Sequence, residues 1–525
     1  MMYKYFVVVD HPDYKDEVHY ELQAYYGDYP IPQRSVTCVD PMEPSHYCGM
    51  FLLTQEEADH LIGDLRIRDV HRIPEEIGVK LKPLGSRSGP FSKNAIASYG
   101  NKNWALSRVI NQTNNFGSAA STSSQFTYNL DGTGVDIIVV DTGVEQYHPE
   151  FAVNADGSGG TRVVNHDWSQ YGYLSVPTGG FLGDCDGHGS NCASIAAGNT
   201  HGWAPNAKIY SLRCIGTGAA QEVDITDGRN LDLLDIFSAF YSIYAFHLSK
   251  IADPVTGYVR PTIVSNSWAY YTAYTTLTAI NYRGVNHTVS TTTAAYGTIG
   301  VPEGGYGTHG YRYTALESVI QQCINAGVIV TAAAGNDCHK IDVAGGQDYG
   351  NYWTEKGTGY QNYYHRGATP GACPGVICVG AVATAVPERK ASFSCTGPRV
   401  DIFAPGYSIM GAYSNQAYVG NAVADPRSSA STSSGATYYQ NAISGTSQAC
   451  PQVTGVLANF LQLRPYNTAT TCRNWLRGVA NLNQLNQTVV SADTSSYTNF
   501  QSLHTALNAF MYMPYNLPNP LTVRL

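Results

Sequence analysis

Three residues of this 525-residue chain have types and settings that could do nucleophilic chemistry together. Asp141 directly follows the apolar run VDIIVV and opens DTGV, so its carboxylate lies at the carboxyl end of a parallel strand, where open α/β sheets place their ligands. His188 stands between two glycines in DGHGSNCASIAAG, at the start of a small-residue helix. Ser447 comes just before an apolar helix in SGTSQACPQVTGVLANFL, with Pro451 in the first turns, where a missing N–H is tolerated. Taken singly these are bland, since a strand-end Asp is most often a turn or cap residue and a glycine-flanked His a surface or capping group. Taken together they supply a hydroxyl, an imidazole to take its proton and a carboxylate to hold the imidazole, each at the end of a strand or helix.

The elements that must position them are legible from residue 126 onward. The runs VDIIVV, AKIYSLR, PTIVSNS, GVIVTAA and PGVICVG are continuous and apolar, as expected of parallel strands buried on both faces. Between them lie helical stretches: SNCASIAAG, 231–248, 315–326 and 448–463. Strand alternating with helix predicts an α/β fold with a doubly wound parallel sheet and flanking helices. The Tyr-, Thr-, Ser- and Gly-rich segments 270–313 and 407–440 read as surface insertions. The chain before this differs. YFVVV, GMFLL, the helix-like TQEEADHLIGDL and IRDVHRI give a small α+β unit over 1–80, with Thr54 and Glu57 spaced as a capping box. Residues 81–100 carry Gly, Pro, Ser and Lys without periodicity and read as a linker ahead of the main domain, 101–525.

Composition excludes several classes. Charged residues are 14% of the chain against the usual ~25%, and the net charge of −9 leaves no basic footprint for nucleic acid. The longest apolar runs fall far short of the roughly 18 residues of a membrane-spanning helix. The N-terminal MMYKYFVVVDHPDYKDE lacks a small-residue cleavage site, so no Sec-type signal is expected, which leaves leaderless export, a virion or the cytoplasm as settings. Cys192, Cys323, Cys378 and Cys450 sit in apolar or small-residue runs and read as buried thiols. Cys38 with Cys48, or Cys185 with another loop cysteine, would pair only in an oxidising compartment.

Five motifs carry a resemblance. DTGV, HGSNCAS, GWAP (Gly202 to Pro205), AAGN (Ala333 to Asn336) and GTSQACP occur in the order found in the subtilisin-like serine peptidases, with the triad order Asp, His, Ser. TYNLDGTGVDIIVVDTGV, the Cys after the His motif, PGVICVGA, FSCTGPRVDIFAPG and NWALSRVI look most like the proteinase K branch. The chain departs from that pattern at Ser190 and Asn191, where the family has Thr and His, and at Gln448, where it has Met.

The resemblance implies a serine endopeptidase made as a zymogen, with a polypeptide as substrate and no cofactor required for catalysis. It implies Asp141, His188 and Ser447 as the triad, with the Asn336 amide and the Ser447 backbone N–H as oxyanion donors. Ser267, Trp268 and Ala269 would form one backbone rail for an extended peptide, and Ala333, Ala334 and Gly335 the opposite wall of the first pocket. For the Trp268 side chain, core packing and a role in shaping the pocket both stay open. A structural Ca²⁺ is expected at Pro374, Val376 and Asp401. The N-terminal unit resembles the family's ferredoxin-like propeptide, an intramolecular inhibitor whose removal would follow self-cleavage between Phe91 and Asn103, near Ala95, Ala97 and Ser98. The alternative from another class is a virion or assembly component, using the same fold with its prosegment retained.

Overall fold

In the computed structural model the residues described are 1–11, 13–24, 34–41, 48–72, 85–88, 91–93, 102–114, 116, 121–122, 125–177, 180–184, 186–215, 233–254, 257–274, 277–288, 307–355, 361–414, 422–428, 436–487 and 502–514. They divide into two compact units, one ending before residue 84 and one beginning there.

In the first unit, strands Tyr3–Val9, Cys38–Asp40, Cys48–Leu53 and Ile67–Arg72 pair antiparallel, with Tyr3–Val9 and Cys48–Leu53 in the middle. With helices Tyr14–Gln23 and Gln55–Leu61 this is the strand–helix–strand–strand–helix–strand order of a ferredoxin-like unit. Alternation in YKYFVVV turns Tyr5, Val7 and Val9 into an apolar cluster with Val18, Leu22, Phe51 and Leu61. The capping box forms as read: Thr54 Oγ1 accepts the Glu57 N–H at 3.2 Å, and Glu57 Oε2 accepts the Thr54 N–H at 2.7 Å.

The second unit is built on a sheet of nine strands. In chain order these are β1 (Asp136–Asp141), β2 (Val163–Val164), β3 (Lys208–Arg213), β4 (Thr262–Asn266) and β5 (Ile329–Ala333), then β6 (Ile377–Val382), β7 (Ile402–Pro405), β8 (Asn481–Leu482) and β9 (Ala509–Phe510). Across the sheet the order is β2-β3-β1-β4-β5-β6-β7-β9-β8, parallel except for the β8–β9 pair at the edge. The five expected strands are all in it. Successive residues of β1 face opposite ways, with Ile137 and Val139 in one apolar cluster and Ile138 and Val140 in the other. Helices His188–Ala197 and Thr446–Leu463 pack on the first face, Leu233–Leu248 and Thr314–Asn325 on the second. Each fully buried aliphatic side chain of this kind contributes about 1.5–3 kcal/mol, and a strand covered on both faces gains it at every position. Because β3 and β4 leave β1 on opposite sides, the crevice at the carboxyl end of β1 is a topological switch point, and Asp141 stands there.

Two expectations are corrected. Residues 85–88 and 91–93 are not an unstructured linker: Gly85–Ser88 pairs with Gln125–Tyr128, and Phe91–Ser92 with Lys102–Asn103 and Ser121–Thr122, all within the second unit. Phe91 is fully buried, and buried Arg87 donates to the Gly202 carbonyl at 2.6 Å. Residues 94–101, with Ala95, Ala97 and Ser98, lie outside the described residues, as does Cys185. Nor is 407–440 only a surface insertion. Ile409–Tyr413, Val423–Ala424 and Tyr439–Ile443 form an antiparallel sheet, and Ile409, Met410 and Ala412 are buried, with the Ala412 N–H bonded to Ser194 Oγ at 2.7 Å. In 270–313, Tyr271–Tyr274 pairs with Gly307–Gly310, while Leu277–Tyr282 pairs with Val285–Thr288 and Tyr352–Glu355. Among the described residues no helix is long and apolar enough to cross a membrane, and Cys192, Cys323, Cys373, Cys378, Cys395, Cys450 and Cys472 are buried free thiols.

Candidate active site

β1 delivers Asp141 fully buried, and the helix His188–Ala197 begins with His188 itself. His188 Nδ1 lies 2.8 Å from Asp141 Oδ1, which also accepts the Thr142 N–H at 2.8 Å. The loop after Asp141 and the start of this helix touch directly, because a Cβ on Gly189 would overlap the Gly143 carbonyl oxygen. Ser447 lies inside the helix Thr446–Leu463, as its second residue rather than ahead of it, and Pro451 is the sixth residue. There the proline has a consequence for the site: without an N–H it leaves the Ser447 carbonyl unclaimed by the helix. That carbonyl instead accepts Ser267 Oγ at 2.8 Å and Cys192 Sγ at 3.4 Å, and the Cys192 sulfur is itself 3.9 Å from His188 Nδ1. Ser447 Oγ donates in turn to the Ser267 carbonyl at 2.9 Å.

Asn336 follows β5 and is exposed. Its Oδ1 accepts both the Thr446 N–H and Thr446 Oγ1, each at 2.9 Å, which leaves the amide N–H groups as donors beside the start of the Ser447 helix. The Gly335 N–H donates to Thr446 Oγ1 at 3.2 Å, and the Gly335 carbonyl accepts from Cys395 at 2.9 Å. Ala333 and Ala334, like Gly335, can therefore offer a wall more readily than hydrogen bonds, since the Ala334 N–H is bonded to Val379 at 2.9 Å. Among the described residues none hydrogen-bonds the backbone of Trp268 or Ala269, which leaves those groups for a strand-like ligand. The Trp268 side chain belongs to the apolar cluster on the second face, edge-on to Tyr270 at 5.8 Å, so core packing accounts for it.

Asp184 is a site residue the sequence reading missed. Fully buried, it accepts Thr142 Oγ1 at 2.8 Å, the Asp186 and Gly187 N–H groups at 3.1 and 2.8 Å, and the Ser190 N–H at 2.8 Å. One carboxylate thus ties the loop after Asp141 to the turn that presents His188. Its signal in the sequence was an Asp four residues ahead of the histidine, in DCDGH. Ser190 keeps a structural job, since its hydroxyl accepts the Glu145 N–H at 2.8 Å. The other two departures from the family pattern meet each other: Gln448 Nε2 donates to Asn191 Oδ1 at 3.3 Å, joining the helix of His188 to the helix of Ser447.

Burial alone would push the His188 imidazolium down, but the Asp141 carboxylate against Nδ1 outweighs it and holds the pKa well above the ordinary histidine range. Burial pushes Asp186 up to about 6; His188 pulls against this, while Asp184 and Asp141 add to it. The Asp186 carboxylate accepts the His188 backbone N–H at 3.1 Å, so a second titrating group touches the residue that carries the imidazole.

The positions expected to hold Ca²⁺ do not fit it. Asp401 Oδ2 accepts Arg399 Nη1 at 2.9 Å and the Cys378 N–H at 2.8 Å, and Oδ1 accepts Arg477 Nη2 at 2.8 Å, while Arg473 Nε stands 3.4 Å from Oδ1 as an ion pair without a hydrogen bond. The Val376 carbonyl accepts Arg399 Nη2 at 2.7 Å. Pro374 is exposed and its carbonyl accepts Cys373 Sγ at 3.5 Å, while the Cys373 carbonyl accepts Arg399 Nη2 at 2.8 Å. A hard divalent ion needs unshared oxygens, and three guanidiniums around one carboxylate repel it.

Comparison with known proteins agrees with the motifs. The family model for the peptidase S8 subtilase family matches residues 132–494. An extracellular serine proteinase of Thermus sp. (strain Rt41A) is 26% identical over 370 residues, covering 70% of this chain and 58% of the relative. The subtilisin-like serine protease pepC of Aspergillus niger is 25% identical over 368 residues, covering 70% and 48%. The chain thus spans about half the length of the curated relatives it matches. A crystal structure of a cold adapted subtilisin-like serine proteinase aligns with a TM-score of 0.46 at 20% identity, covering 78% of this chain and 97% of that one. Since the family model runs from just ahead of β1 to beyond the helix of Ser447, over well more than half of the sequence, the chain belongs to the subtilase family.

Proposed function

We propose that this chain is a serine endopeptidase that hydrolyses peptide bonds through Asp141, His188 and Ser447. The observation that carries the reading is the 2.8 Å contact of Asp141 with His188 Nδ1, joined through Cys192 Sγ, 3.9 Å from that nitrogen and 3.4 Å from the Ser447 carbonyl, to a serine at a helix N-terminus in a chain of this family. With Nδ1 donating to Asp141, Nε2 is left as the base. Ser447 Oγ gives up its bond to the Ser267 carbonyl, passes its proton to Nε2 and bonds to the scissile carbonyl carbon; the imidazolium protonates the amine as the C–N bond breaks, and a water deprotonated by Nε2 then hydrolyses the acyl ester and restores Ser447. The Ser447 N–H and the Asn336 amide receive the oxyanion. An extended polypeptide pairs with the backbone at Ser267, Trp268 and Ala269. Hydrolysis of a denatured protein, together with covalent labelling by a serine-directed fluorophosphonate, tests the reading; a full-length or processed chain that does neither rejects it.

Because the base must be neutral, activity falls as acid protonates His188, and its raised pKa puts that fall above the usual histidine range. Asp186 is ionised above about 6 and its charge favours the imidazolium. Asp186→Asn keeps an oxygen for the His188 N–H and removes the charge, so the His188 pKa drops. The acid limb of kcat/KM against pH is expected to move down by roughly half a unit to one unit. A limb that stays in place, or moves up, removes Asp186 from the electrostatics of the base.

The first unit acts as a tethered inhibitor and folding aid. A substrate-like segment held on the same chain has a high effective concentration, so modest affinity suffices to block the cleft. Self-cleavage between Phe91 and Asn103 leaves strands Gly85–Ser88 and Phe91–Ser92 on the N-terminal piece, although they pair within the second unit. The two pieces are therefore expected to copurify natively and to separate in denaturing intact-mass analysis, with the break absent in Ser447→Ala. A wild-type chain that stays full length yet digests substrate at full speed rejects this role.

A further inference from the structure

The loop 372–376 turns several carbonyls inward at the start of β6, beside a lone carboxylate. Arg399 meets them all: its Nη2 donates to the carbonyls of Cys373 at 2.8 Å and Val376 at 2.7 Å, its Nε to that of Ala372 at 3.3 Å, and its Nη1 to Asp401 Oδ2 at 2.9 Å. We propose that the Arg399 guanidinium is a covalent substitute for a bound cation, gathering the Ala372, Cys373 and Val376 carbonyls and Asp401 as a metal ion would, so that this part of the fold is held without one.

The chemistry favours the exchange. Inward carbonyls need donors or a cation, since a buried acceptor left unsatisfied forfeits its hydration without replacement. A guanidinium brings five N–H donors in a fixed plane and one delocalised charge, which suits several acceptors spread around it. A bound ion stabilises only in proportion to the logarithm of its free concentration over its dissociation constant, whereas a tethered one has no such dependence. Arg477 and Arg473 complete the balance, holding the other carboxylate oxygen at 2.8 and 3.4 Å. What is held in place has a use. The loop runs on from Thr369, whose carbonyl accepts the Tyr270 N–H at 3.1 Å and whose hydroxyl donates to Glu317 at 2.9 Å, so it backs the segment that follows the proposed substrate rail.

The test reads melting temperature and is independent of activity. Arg399→Ala takes one donor from Asp401 and from each of the Ala372, Cys373 and Val376 carbonyls, and its melting temperature is expected to fall by roughly 5 °C or more. Free guanidinium ion, at a concentration too low to affect the wild type, is expected to restore part of that loss, while sodium chloride of equal ionic strength and urea do not. In the wild type, any stabilisation by Ca²⁺ over EDTA is expected to persist unchanged in Asp401→Asn, because Asp401 is not a calcium ligand. An Arg399→Ala chain that melts with the wild type, or that gains nothing from guanidinium, overturns the proposal, as does a Ca²⁺ response that Asp401→Asn abolishes. If Arg399→Ala yields no folded protein, Arg399→Lys decides: a point charge reaching fewer carbonyls must melt below the wild type with the wild type's Ca²⁺ response unchanged, and wild-type melting or a Ca²⁺ response larger than the wild type's rejects the role.

Discussion

Ser447→Ala is expected to lower turnover of a protein or amide substrate by on the order of 10⁶ and to abolish fluorophosphonate labelling, the loss that removal of nucleophile or base alone produces in subtilisin. The size follows from the interdependence of the three residues. Without the hydroxyl, His188 has no proton to take, and the Asp141 bond that fixes its tautomer stabilises an imidazolium that never forms. What survives is whatever the oxyanion donors and substrate binding contribute to attack by water, a residual of about 10³–10⁴ over the uncatalysed rate. Melting temperature is the control: among the described residues Ser447 Oγ makes one hydrogen bond, to the Ser267 carbonyl at 2.9 Å. A variant that melts normally and has lost labelling and turnover together identifies the nucleophile. One that keeps wild-type turnover removes Ser447 from the chemistry.

The placement of Asp141, His188 and Ser447 at element ends was legible because such ends leave local marks: an apolar strand ending in a carboxylate, glycines around a histidine, a serine opening an apolar helix. The parallel strands were legible for a related reason, since burial on both faces produces apolar runs such as DIIVVD and ICVGAV that need no alternation. What escaped the sequence depends on pairing between distant segments. Phe91–Ser92 has two residues and a Gly- and Pro-rich setting, and only its partners at Lys102–Asn103 and Ser121–Thr122 make it a strand. Ile409–Tyr413 is surrounded by Tyr, Ser and Gly, yet its inner face meets Ser194 on the helix that begins with His188. The metal expectation failed for a sharper reason. A motif match fixes on the acidic residue of RVDIFAPG and passes over the arginine two positions before it, although that arginine supplies the positive charge. Asn191 and Gln448 teach the same lesson. Each is a departure from a motif when read alone, and only their 3.3 Å contact makes them a pair.

Asn336→Ala is expected to cost about 10²–10³ in kcat with little change in KM, the loss that follows removal of one oxyanion donor in subtilisin. A donor that bonds the tetrahedral oxygen more strongly than the substrate carbonyl lowers the barrier without tightening ground-state binding, so the loss falls on turnover. The geometry prepares Asn336 for that role. Its Oδ1 is clamped by the Thr446 N–H and hydroxyl, each at 2.9 Å, so the amide cannot flip without turning its NH₂ onto two donors. The same clamp supplies a rival explanation, because alanine also strips Thr446 of its acceptor at the residue next to Ser447. Asn336→Asp separates the two: it preserves acceptor oxygens for Thr446 but sets a negative charge where the oxyanion forms, so it must lose at least as much kcat as alanine. Were the clamp the whole effect, aspartate would recover most of the activity. An Asn336→Ala chain with an unchanged turnover number would leave the oxyanion to the Ser447 N–H and to a donor other than this amide.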